Sequence, residues 1–289
     1  MTAHVRNRNK TCGRPAGPQG LNNRSCKIPA PPASSCGRDM LETSVEIQTP
    51  DGCCPAWVVR PEGAGPWPAV IIYMDGIGMR PALRAMAARV AGHGLYVLLP
   101  DLFYRAGAYV APNPAALFGD MEVRKRWAAT HISTASQANV RRDTGAFLEF
   151  LARQPEVRQP AVGTVGYCLG GGLALAMAGF YPDRVLAAAS YHGGYLAALD
   201  RPESPHLLAP RMNPQARIYV AGADEDPSFP RDMKDRLDQA LASAGLAHTV
   251  EIYLGARHGF APPDTPTHDP VAAERHYQTL FELFDAALR

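Results

Sequence analysis

Long apolar runs, a large net charge and the cysteine spacing of a metal site or a disulfide framework are all missing from this 289-residue chain. No stretch reaches the roughly 18 consecutive apolar residues of a transmembrane helix, so we expect no membrane span. The net charge is only +2, which argues against a general role in binding nucleic acid or a membrane surface. No lysine follows the glycines at 170–172, so the phosphate-binding pattern G-x-x-x-x-G-K-[ST] is absent.

The six cysteines do not have the spacing of a metal site or of a disulfide framework. Cys12, Cys26 and Cys36 lie 14 and 10 residues apart, too far for the ligand pairs of a tight zinc site. Cys53 and Cys54 are adjacent, and we expect them to be structural rather than bridged. We therefore expect a reducing compartment, the cytoplasm, and no metal or other cofactor.

Residues 1–39 differ in composition from the rest of the chain. They carry a net charge of +6, against −4 over residues 40–289. They contain several prolines and few large apolar side chains, so they cannot bury enough surface to become ordered. They also lack an apolar h-region, so we expect no secretory signal in them. We predict a basic, disordered extension, or translation that starts at Met40, followed by one catalytic domain over residues 40–289.

From residue 40 onward, strand patterns and helix patterns alternate. Two β-rich segments around the Asp51-Gly52 turn, residues 43–49 and 56–60, predict an opening hairpin. The later alternation is typical of the α/β class, with a mostly parallel central sheet flanked by helices. The predicted strands are residues 69–74, 94–100, 162–168, 185–191, 216–222 and 249–254. The predicted helices are residues 81–92, 135–154, 173–180, 231–244 and 271–288.

The most informative motif is Gly166-Tyr-Cys168-Leu-Gly170, which follows a β-branched run and precedes a helix of small residues. This G-x-C-x-G spacing is typical of the nucleophile elbow of an α/β-hydrolase, with cysteine in place of the usual serine. The glycines leave room for a sharp turn. The following helix points its N-terminal amides at the sulfur, which favours the thiolate and stabilises a nearby oxyanion. Cys168 is therefore the candidate nucleophile, the alternative being a buried core cysteine.

An elbow nucleophile is followed along the chain by an acid and then by a histidine. The acidic loop that follows the predicted strand 216–222 holds Asp224, Glu225 and Asp226, and His258 follows the strand 249–254. Active sites of open α/β sheets form at such strand ends. Each residue taken alone could be a solvated loop residue. Their order and positions together predict a catalytic triad of Cys168, a loop acid and His258.

Two further segments border the predicted site. Residues 104–135 mix glycine and proline with aromatic side chains, and we expect a partly helical insertion over the mouth of the site. An ordinary packed crossover is the alternative. His192 follows a strand end, where it either lines the pocket or, as we expect, is structural.

Four stretches make residues 40–289 resemble the dienelactone hydrolase, or carboxymethylenebutenolidase-like, family of α/β-hydrolases. They are Gly-Tyr-Cys168-Leu-Gly-Gly, Asp226-Pro-Ser-Phe-Pro, Arg-His258-Gly-Phe and Pro100-Asp-Leu-Phe-Tyr-Arg105. The resemblance implies one α/β-hydrolase domain with Cys168 as nucleophile, His258 as general base and acid, and Asp226 as the partner of the histidine. Asp226 is favoured over Asp224 because two prolines follow it at the spacing of the family.

The resemblance also implies an oxyanion hole and residues that support the thiol and the substrate. The backbone N–H groups of Gly76 and Leu169 are expected to form the hole. The family places a glutamate near the thiol at the position of Asp75, which either contacts the sulfur or serves as a turn residue. Arg105 matches one of two arginines that hold a substrate carboxylate in dienelactone-cleaving members, or it is a surface residue. The position of the other arginine holds Pro262.

The expected function is hydrolysis of an activated ester or lactone through a Cys-His-Asp triad and a thioester acyl-enzyme. The partner is then a small-molecule ester or lactone, with no nucleic acid and no membrane. The sequence leaves the oligomeric state open and is compatible with a monomer. Two alternatives remain: a ligand-binding or redox-sensing protein on the same fold, and a thioesterase or acyltransferase.

Overall fold

A computed structural model describes residues 39–289, which form one eight-stranded sheet flanked by helices. The strands are β1 Met40–Thr49, β2 Gly52–Pro61, β3 Trp67–Tyr73, β4 Tyr96–Pro100, β5 Val157–Tyr167, β6 Val185–Tyr191, β7 Arg217–Ala223 and β8 Ala247–Tyr253. Their order in the sheet is β1-β2-β4-β3-β5-β6-β7-β8. The pairs β1–β2 and β2–β4 are antiparallel, and all other pairs are parallel. The predicted opening hairpin and mostly parallel sheet are confirmed.

The expectation of a disordered extension falls on residues that lie outside the described part of the chain, apart from Asp39. It therefore stays a prediction. Within the described part, the helices are α1 Pro81–Gly92, α2 Pro114–Gly119, α3 Met121–Thr130, α4 Gln137–Ala152, α5 Leu169–Phe180, α6 Arg231–Ser243 and α7 Pro270–Leu288. None of them is long and apolar enough to cross a membrane.

Local signals explain where several helices begin and end. Helix α1 begins at Pro81, because the fixed φ of proline suits the first helical position, and Gly94 follows the helix with a φ of 87°. Helix α7 begins after Asp269, whose side chain accepts hydrogen bonds from the first free backbone N–H groups of the helix. The helix predicted over residues 173–180 was placed four residues too late, since α5 already begins at Leu169.

The central strands are buried on both faces, because helices cover both sides of the parallel part of the sheet. In β3, only Trp67 is partly exposed, and its six following residues are buried. The neighbouring strands β5, β6, β7 and β8 all end at the same edge of the sheet. The loops that leave this edge carry Cys168, Asp226 and His258, so the topology brings three distant parts of the chain together.

The insertion over residues 104–135 is partly helical, as predicted. It consists of α2, α3 and two short 3-10 turns, Tyr104–Ala106 and Ile132–Ala135. Its aromatic side chains pack together: the rings of Trp127 and His131 stack with centroids 3.6 Å apart, and Phe103 contacts the edge of both. Since Phe103 belongs to the main hydrophobic core and Trp127 packs against that core, this cluster attaches the insertion to the rest of the domain.

Candidate active site

Cys168 occupies a sharp turn between β5 and α5. Its φ of 53° and ψ of −114° lie in a region that non-glycine residues rarely adopt. The turn is possible because its neighbours lack side chains: a Cβ atom on Gly166 would overlap the Gly170 carbonyl, and one on Gly170 would overlap the Tyr73 carbonyl. This close packing explains why α5 begins at a glycine-rich segment that has little intrinsic helix propensity.

A continuous hydrogen-bonded chain joins Cys168 to two other side chains. His258 Nε2 lies 3.0 Å from Cys168 Sγ, and His258 Nδ1 lies 2.6 Å from Asp226 Oδ2. The second oxygen of Asp226 accepts hydrogen bonds from the backbone N–H and the hydroxyl of Ser228, at 2.9 Å and 2.6 Å. The imidazole is thus held between the sulfur and a carboxylate whose own orientation is fixed.

The loop acids occupy different environments. Asp226 is only 5% exposed and contacts His258, whereas Asp224 is exposed. Asp224 instead binds the Arg231 guanidinium at 3.1 Å and accepts a hydrogen bond from the Gly255 N–H, also at 3.1 Å. The structure therefore brings Asp226, and not Asp224, to the histidine.

The electrostatics of the site favour a protonated imidazole. Burial by itself lowers the pKa of His258, but the neighbouring Cys168 and Asp226 raise it overall to about 11. Burial raises the pKa of Asp226, yet the hydrogen bond and positive charge of His258 and the bonds from Ser228 bring it below the ordinary value. An imidazolium between a sulfur and a carboxylate can deliver a proton to a leaving group.

The backbone of the histidine loop is fixed by threonine side chains. The Thr267 hydroxyl donates to the His258 carbonyl at 2.7 Å, and the Thr265 hydroxyl donates to the Gly259 carbonyl at 2.7 Å. Gly259 has a φ of 89°, which favours glycine at this position. These contacts hold the loop in the conformation that points the imidazole at the sulfur.

His192 lies directly behind His258. The two rings meet edge to face with centroids 5.4 Å apart, and Phe260 contacts His192 in the same way at 4.9 Å. His192 is fully buried, which holds its pKa well below the ordinary value, so the ring is neutral. Neither ring nitrogen has a partner among the described residues. The residue packs beneath the site, in line with the structural role that we expected.

Leu169 directly follows Cys168 at the start of α5, and Gly76 lies just after the end of β3. Leu169 is the first residue of α5, so its N–H has no acceptor within the helix. Gly76 follows β3, and the packing of Gly170 against the Tyr73 carbonyl holds the start of α5 against the end of that strand.

The insertion contacts the Gly76 loop at two points. The Trp127 indole of the insertion donates a hydrogen bond to the Gly76 carbonyl at 2.8 Å. A Cβ atom on Gly76 would lie 3.2 Å from Ile132 Cδ1, so the insertion also packs on this loop.

Asp75 binds an arginine rather than the thiol. Its two carboxylate oxygens accept hydrogen bonds from Arg80 Nη1 at 2.7 Å and Nη2 at 2.8 Å, and Oδ1 also accepts from the Ile77 N–H at 3.0 Å. Asp75 is 3% exposed, so this is a buried ion pair. Of the two interpretations of Asp75, the turn residue is the one that these contacts favour. No pattern in the sequence indicated the role of Arg80, which precedes α1.

Arg105 also binds carboxylates of the protein itself. Its guanidinium contacts Asp143 at 2.7 Å and 2.8 Å and Asp51 at 2.6 Å and 2.9 Å. Asp143, in α4, is fully buried. The Arg105 guanidinium thus donates four hydrogen bonds to Asp51 and Asp143 that it could otherwise donate to a substrate. The structure therefore does not bring Arg105 to the thiol as a free cation.

The remaining cysteines of the described segment are not part of the hydrogen-bonded chain that joins Cys168, His258 and Asp226. Cys53 is exposed and Cys54 is buried, and both are free thiols, like Cys168. Across residues 39–289, no group of three or more His, Cys, Asp or Glu side chains is placed to hold a metal ion.

Residues 54–288 match the model of the dienelactone hydrolase family. The carboxymethylenebutenolidases of Rhodococcus opacus and Pseudomonas putida are each 27% identical to the chain, over 76% and 77% of its length and 81% and 87% of theirs. A Klebsiella pneumoniae structure assigned as a dienelactone hydrolase is 23% identical, covers 86% of this chain and 99% of its own, and superposes with a TM-score of 0.73. The chain is thus a carboxylic ester hydrolase that belongs to the dienelactone hydrolase family.

Proposed function

We propose that this hydrolase cleaves an activated ester or lactone through a covalent thioester on Cys168. His258 is the general base and acid, and Asp226 orients it. The observation that carries the proposal is the unbroken chain from Cys168 Sγ through His258 to Asp226, with contacts of 3.0 Å and 2.6 Å. Such a chain activates a nucleophile because the base is fixed within reach of the attacking atom.

In the first half of the reaction the Cys168 sulfur forms a bond to the carbonyl carbon, and the carbonyl electron pair moves onto the oxygen. The N–H groups of Gly76 and Leu169 stabilise this oxyanion, and one such donor typically contributes about 3–4 kcal/mol. When the oxyanion collapses, the carbon–oxygen bond to the leaving group breaks. The leaving oxygen takes the proton of His258, and a thioester remains.

In the second half, neutral His258 takes a proton from a water molecule, which attacks the thioester carbonyl. The carbon–sulfur bond then breaks, and Cys168 leaves as the thiolate beside the imidazolium. With a lactone the leaving group stays tethered, so a single ring-opened acid is released. Asp226 supports the imidazolium that forms in each half-reaction.

The arrangement of arginines bears on the choice of substrate. The relatives from Rhodococcus opacus and Pseudomonas putida are named carboxymethylenebutenolidases, and a dienelactone substrate carries a carboxylate. In this chain Arg105 is already bound by Asp51 and Asp143, and position 262 is a proline. We therefore propose an ester or lactone whose recognition does not depend on those two arginine positions, without nucleic acid or membrane as partner.

The test is a rate assay on wild type and on Cys168→Ala, with a small neutral activated ester and with a dienelactone. We expect the wild type to turn over the neutral ester and Cys168→Ala to lose at least about 10³-fold in kcat, because the covalent route is closed. Cys53→Ala is the matched control, since Cys53 is an exposed free thiol, and it should keep the wild-type rate.

Retention of wild-type activity by Cys168→Ala would contradict the proposal. An alkylatable Cys168 without turnover of either substrate would also contradict it, and would support a binding or redox-sensing protein. Adding an alcohol or thiol acceptor to the assay separates hydrolysis from acyl transfer. We expect the acid to remain the main product. We also propose a cytoplasmic location, because Cys53, Cys54 and Cys168 are all free thiols and thiols are kept reduced in the cytosol.

A further inference from the structure

A single buried guanidinium joins the two loops that flank the reacting sulfur. Arg80 is 7% exposed, and all five of its guanidinium N–H groups have acceptors. Nε and Nη2 bind the carboxylate of Asp264 at 2.7 Å and 3.1 Å, and both terminal nitrogens bind Asp75 at 2.7 Å and 2.8 Å. The fifth bond goes to the Gly78 carbonyl at 3.2 Å.

On one side, this guanidinium fixes the loop that contains Gly76. The Asp75 carboxylate is held by Arg80 and also accepts a hydrogen bond from the Ile77 N–H at 3.0 Å. This second hydrogen bond spans Gly76 and forms a tight turn there. Trp127 fixes the Gly76 carbonyl from the other side at 2.8 Å. The direction of the Gly76 N–H, which we propose as an oxyanion donor, therefore depends on the conformation that Arg80 imposes on Asp75.

On the other side, Arg80 fixes the loop that carries the general base. Asp264 lies six residues after His258, and the adjacent Thr265 donates its hydroxyl to the Gly259 carbonyl at 2.7 Å. Asp264 and Arg80 are 184 positions apart in the sequence. Only this ion pair, among the side-chain contacts described above, links the Gly76 loop directly to the histidine loop.

The geometry of this bridge requires an arginine. A guanidinium is planar and presents its donors as a fork, so it can bind two carboxylates in bidentate fashion at once. A lysine ammonium keeps the positive charge beside the buried Asp75 but cannot make both bidentate contacts. Replacement of Arg80 by lysine therefore loosens the bridge without leaving a buried carboxylate with no cation.

We infer that Arg80 is a positioning residue for ester cleavage, which sets the Gly76 N–H relative to the His258 imidazole so that both act on one carbonyl group. This inference rests on the proposed function of Cys168. It predicts a specific signature, because Arg80 does not touch the Cys168–His258–Asp226 chain. Steps that need the oxyanion hole depend on Arg80, whereas the reactivity of the thiol itself does not.

The test compares wild type and Arg80→Lys in two reactions of the full-length enzyme. Hydrolysis of a neutral activated ester needs the oxyanion hole, whereas alkylation of Cys168 by iodoacetamide displaces iodide and forms no oxyanion. We expect kcat to fall about tenfold or more, since a small misplacement of a reacting group is costly. We expect KM to change less than about threefold, because Arg80 does not contact the substrate in this proposal. We expect the alkylation rate to change less than about twofold, because Asp226 and Thr267, neither of which contacts Arg80, still hold His258 against the sulfur.

Arg89→Lys is the matched control. Arg89 is in the last turn of α1, the helix that Arg80 precedes. It also makes a long-range ion pair, 2.6 Å from Glu274, but its side chain is 45% exposed. It should keep the wild-type kcat. Asp264→Asn is the second variant, because it preserves the pair between Arg80 and Asp75, and it should lower kcat by about threefold or more. It decides the question if Arg80→Lys does not fold.

A wild-type kcat in a folded Arg80→Lys, or in Asp264→Asn when the first variant does not fold, would overturn the inference. Parallel losses of kcat and of the alkylation rate would overturn it too, since they indicate a general structural role. The Cys168→Ala assay separates this from a failure of the proposed function. If the wild type shows no Cys168-dependent turnover, both the proposed function and the role of Arg80 are contradicted. If it does show such turnover, a negative result with the Arg80 variants contradicts only the role of Arg80.

Discussion

His258 Nε2 lies 3.0 Å from Cys168 Sγ, although the two residues are 90 positions apart in the sequence. The elbow after β5 fixes the sulfur, and the threonine-braced loop after β8 fixes the imidazole. The pair is therefore held by two independent parts of the fold. Substitutions at either part should have separable effects on catalysis and on stability.

Asp226→Asn should lower kcat far more than Asp224→Asn. Asparagine at position 226 stabilises the imidazolium less well and disturbs the histidine tautomer, so we expect a loss of about 10²- to 10⁴-fold. Among the described residues, the Asp224 carboxylate binds Arg231 and the Gly255 N–H and does not reach His258, so its substitution should change kcat less than about threefold. Steady-state assays of both variants measure the difference. Equal losses would contradict the assignment of Asp226.

The stabilising contribution of His258 should weaken as the pH rises. Its pKa is about 11 in the folded chain, where Cys168 and Asp226 outweigh the effect of burial, and about 6.5 in the unfolded chain. The folded state therefore binds the extra proton, and this contribution is fully present below about pH 6.5 and is lost as the pH approaches 11.

Urea unfolding of wild type and His258→Gln at about pH 6, 8 and 10 measures this contribution. The difference in unfolding free energy between them should shrink steadily across the series. In the Cys168→Ala background the pH dependence should be weaker, because one cause of the raised pKa is removed. A difference that stays constant with pH would contradict the prediction.

Gly170→Ala should destabilise the fold, whereas Gly172→Ala in the same helix should not. A Cβ atom on Gly170 would overlap the carbonyls of Tyr73 and Met74, and we expect a loss of at least about 3 kcal/mol. At Gly172 the nearest atom, of Leu196, would be 3.6 Å away, an ordinary contact. Alanine there should be neutral or stabilising by up to about 1 kcal/mol, because it favours the helix. Equal melting temperatures of the two variants would show that the overlap is relieved.

Trp127→Phe should lower kcat by about two- to tenfold. The substitution keeps an aromatic ring in the cluster but removes the 2.8 Å hydrogen bond to the Gly76 carbonyl, and such a bond contributes about 0.5–1.5 kcal/mol. Trp57→Phe is the control, because the indole nitrogen of Trp57 is buried and has no partner among the described residues. An unchanged kcat in Trp127→Phe would show that the insertion does not fix the Gly76 loop.

Arg105→Lys should reduce stability rather than the recognition of an anionic substrate. Lysine cannot reproduce the bidentate contact with buried Asp143, so the melting temperature should fall by several degrees. The ratio of KM values for an anionic and a neutral ester should stay within about twofold of wild type, because the guanidinium is bound by Asp51 and Asp143. A selective rise in KM for the anionic ester would show that Arg105 contacts the substrate carboxylate.

Local signals in the sequence predicted much of the architecture. Helix α1 and strand β6 have the predicted bounds, residues 81–92 and 185–191, because proline and glycine mark the ends of each within a few positions. The start of α5 was missed because three glycines argue against a helix. Only the close approach of Tyr73 to Gly170 makes glycine favourable there.

The sequence by itself determined the glycine-flanked turn at Cys168, the order of cysteine, acid and histidine, and the mostly parallel α/β sheet. The first depends on local spacing, and the other two depend on the order of residues and elements along the chain. Tertiary structure decided which charges meet. Asp75 binds Arg80 rather than the thiol, Arg105 binds Asp143, and Arg80 also reaches Asp264 across 184 positions. No spacing rule gives such pairs, because they depend on how strands and loops pack. Burial then makes each choice of partner costly to change.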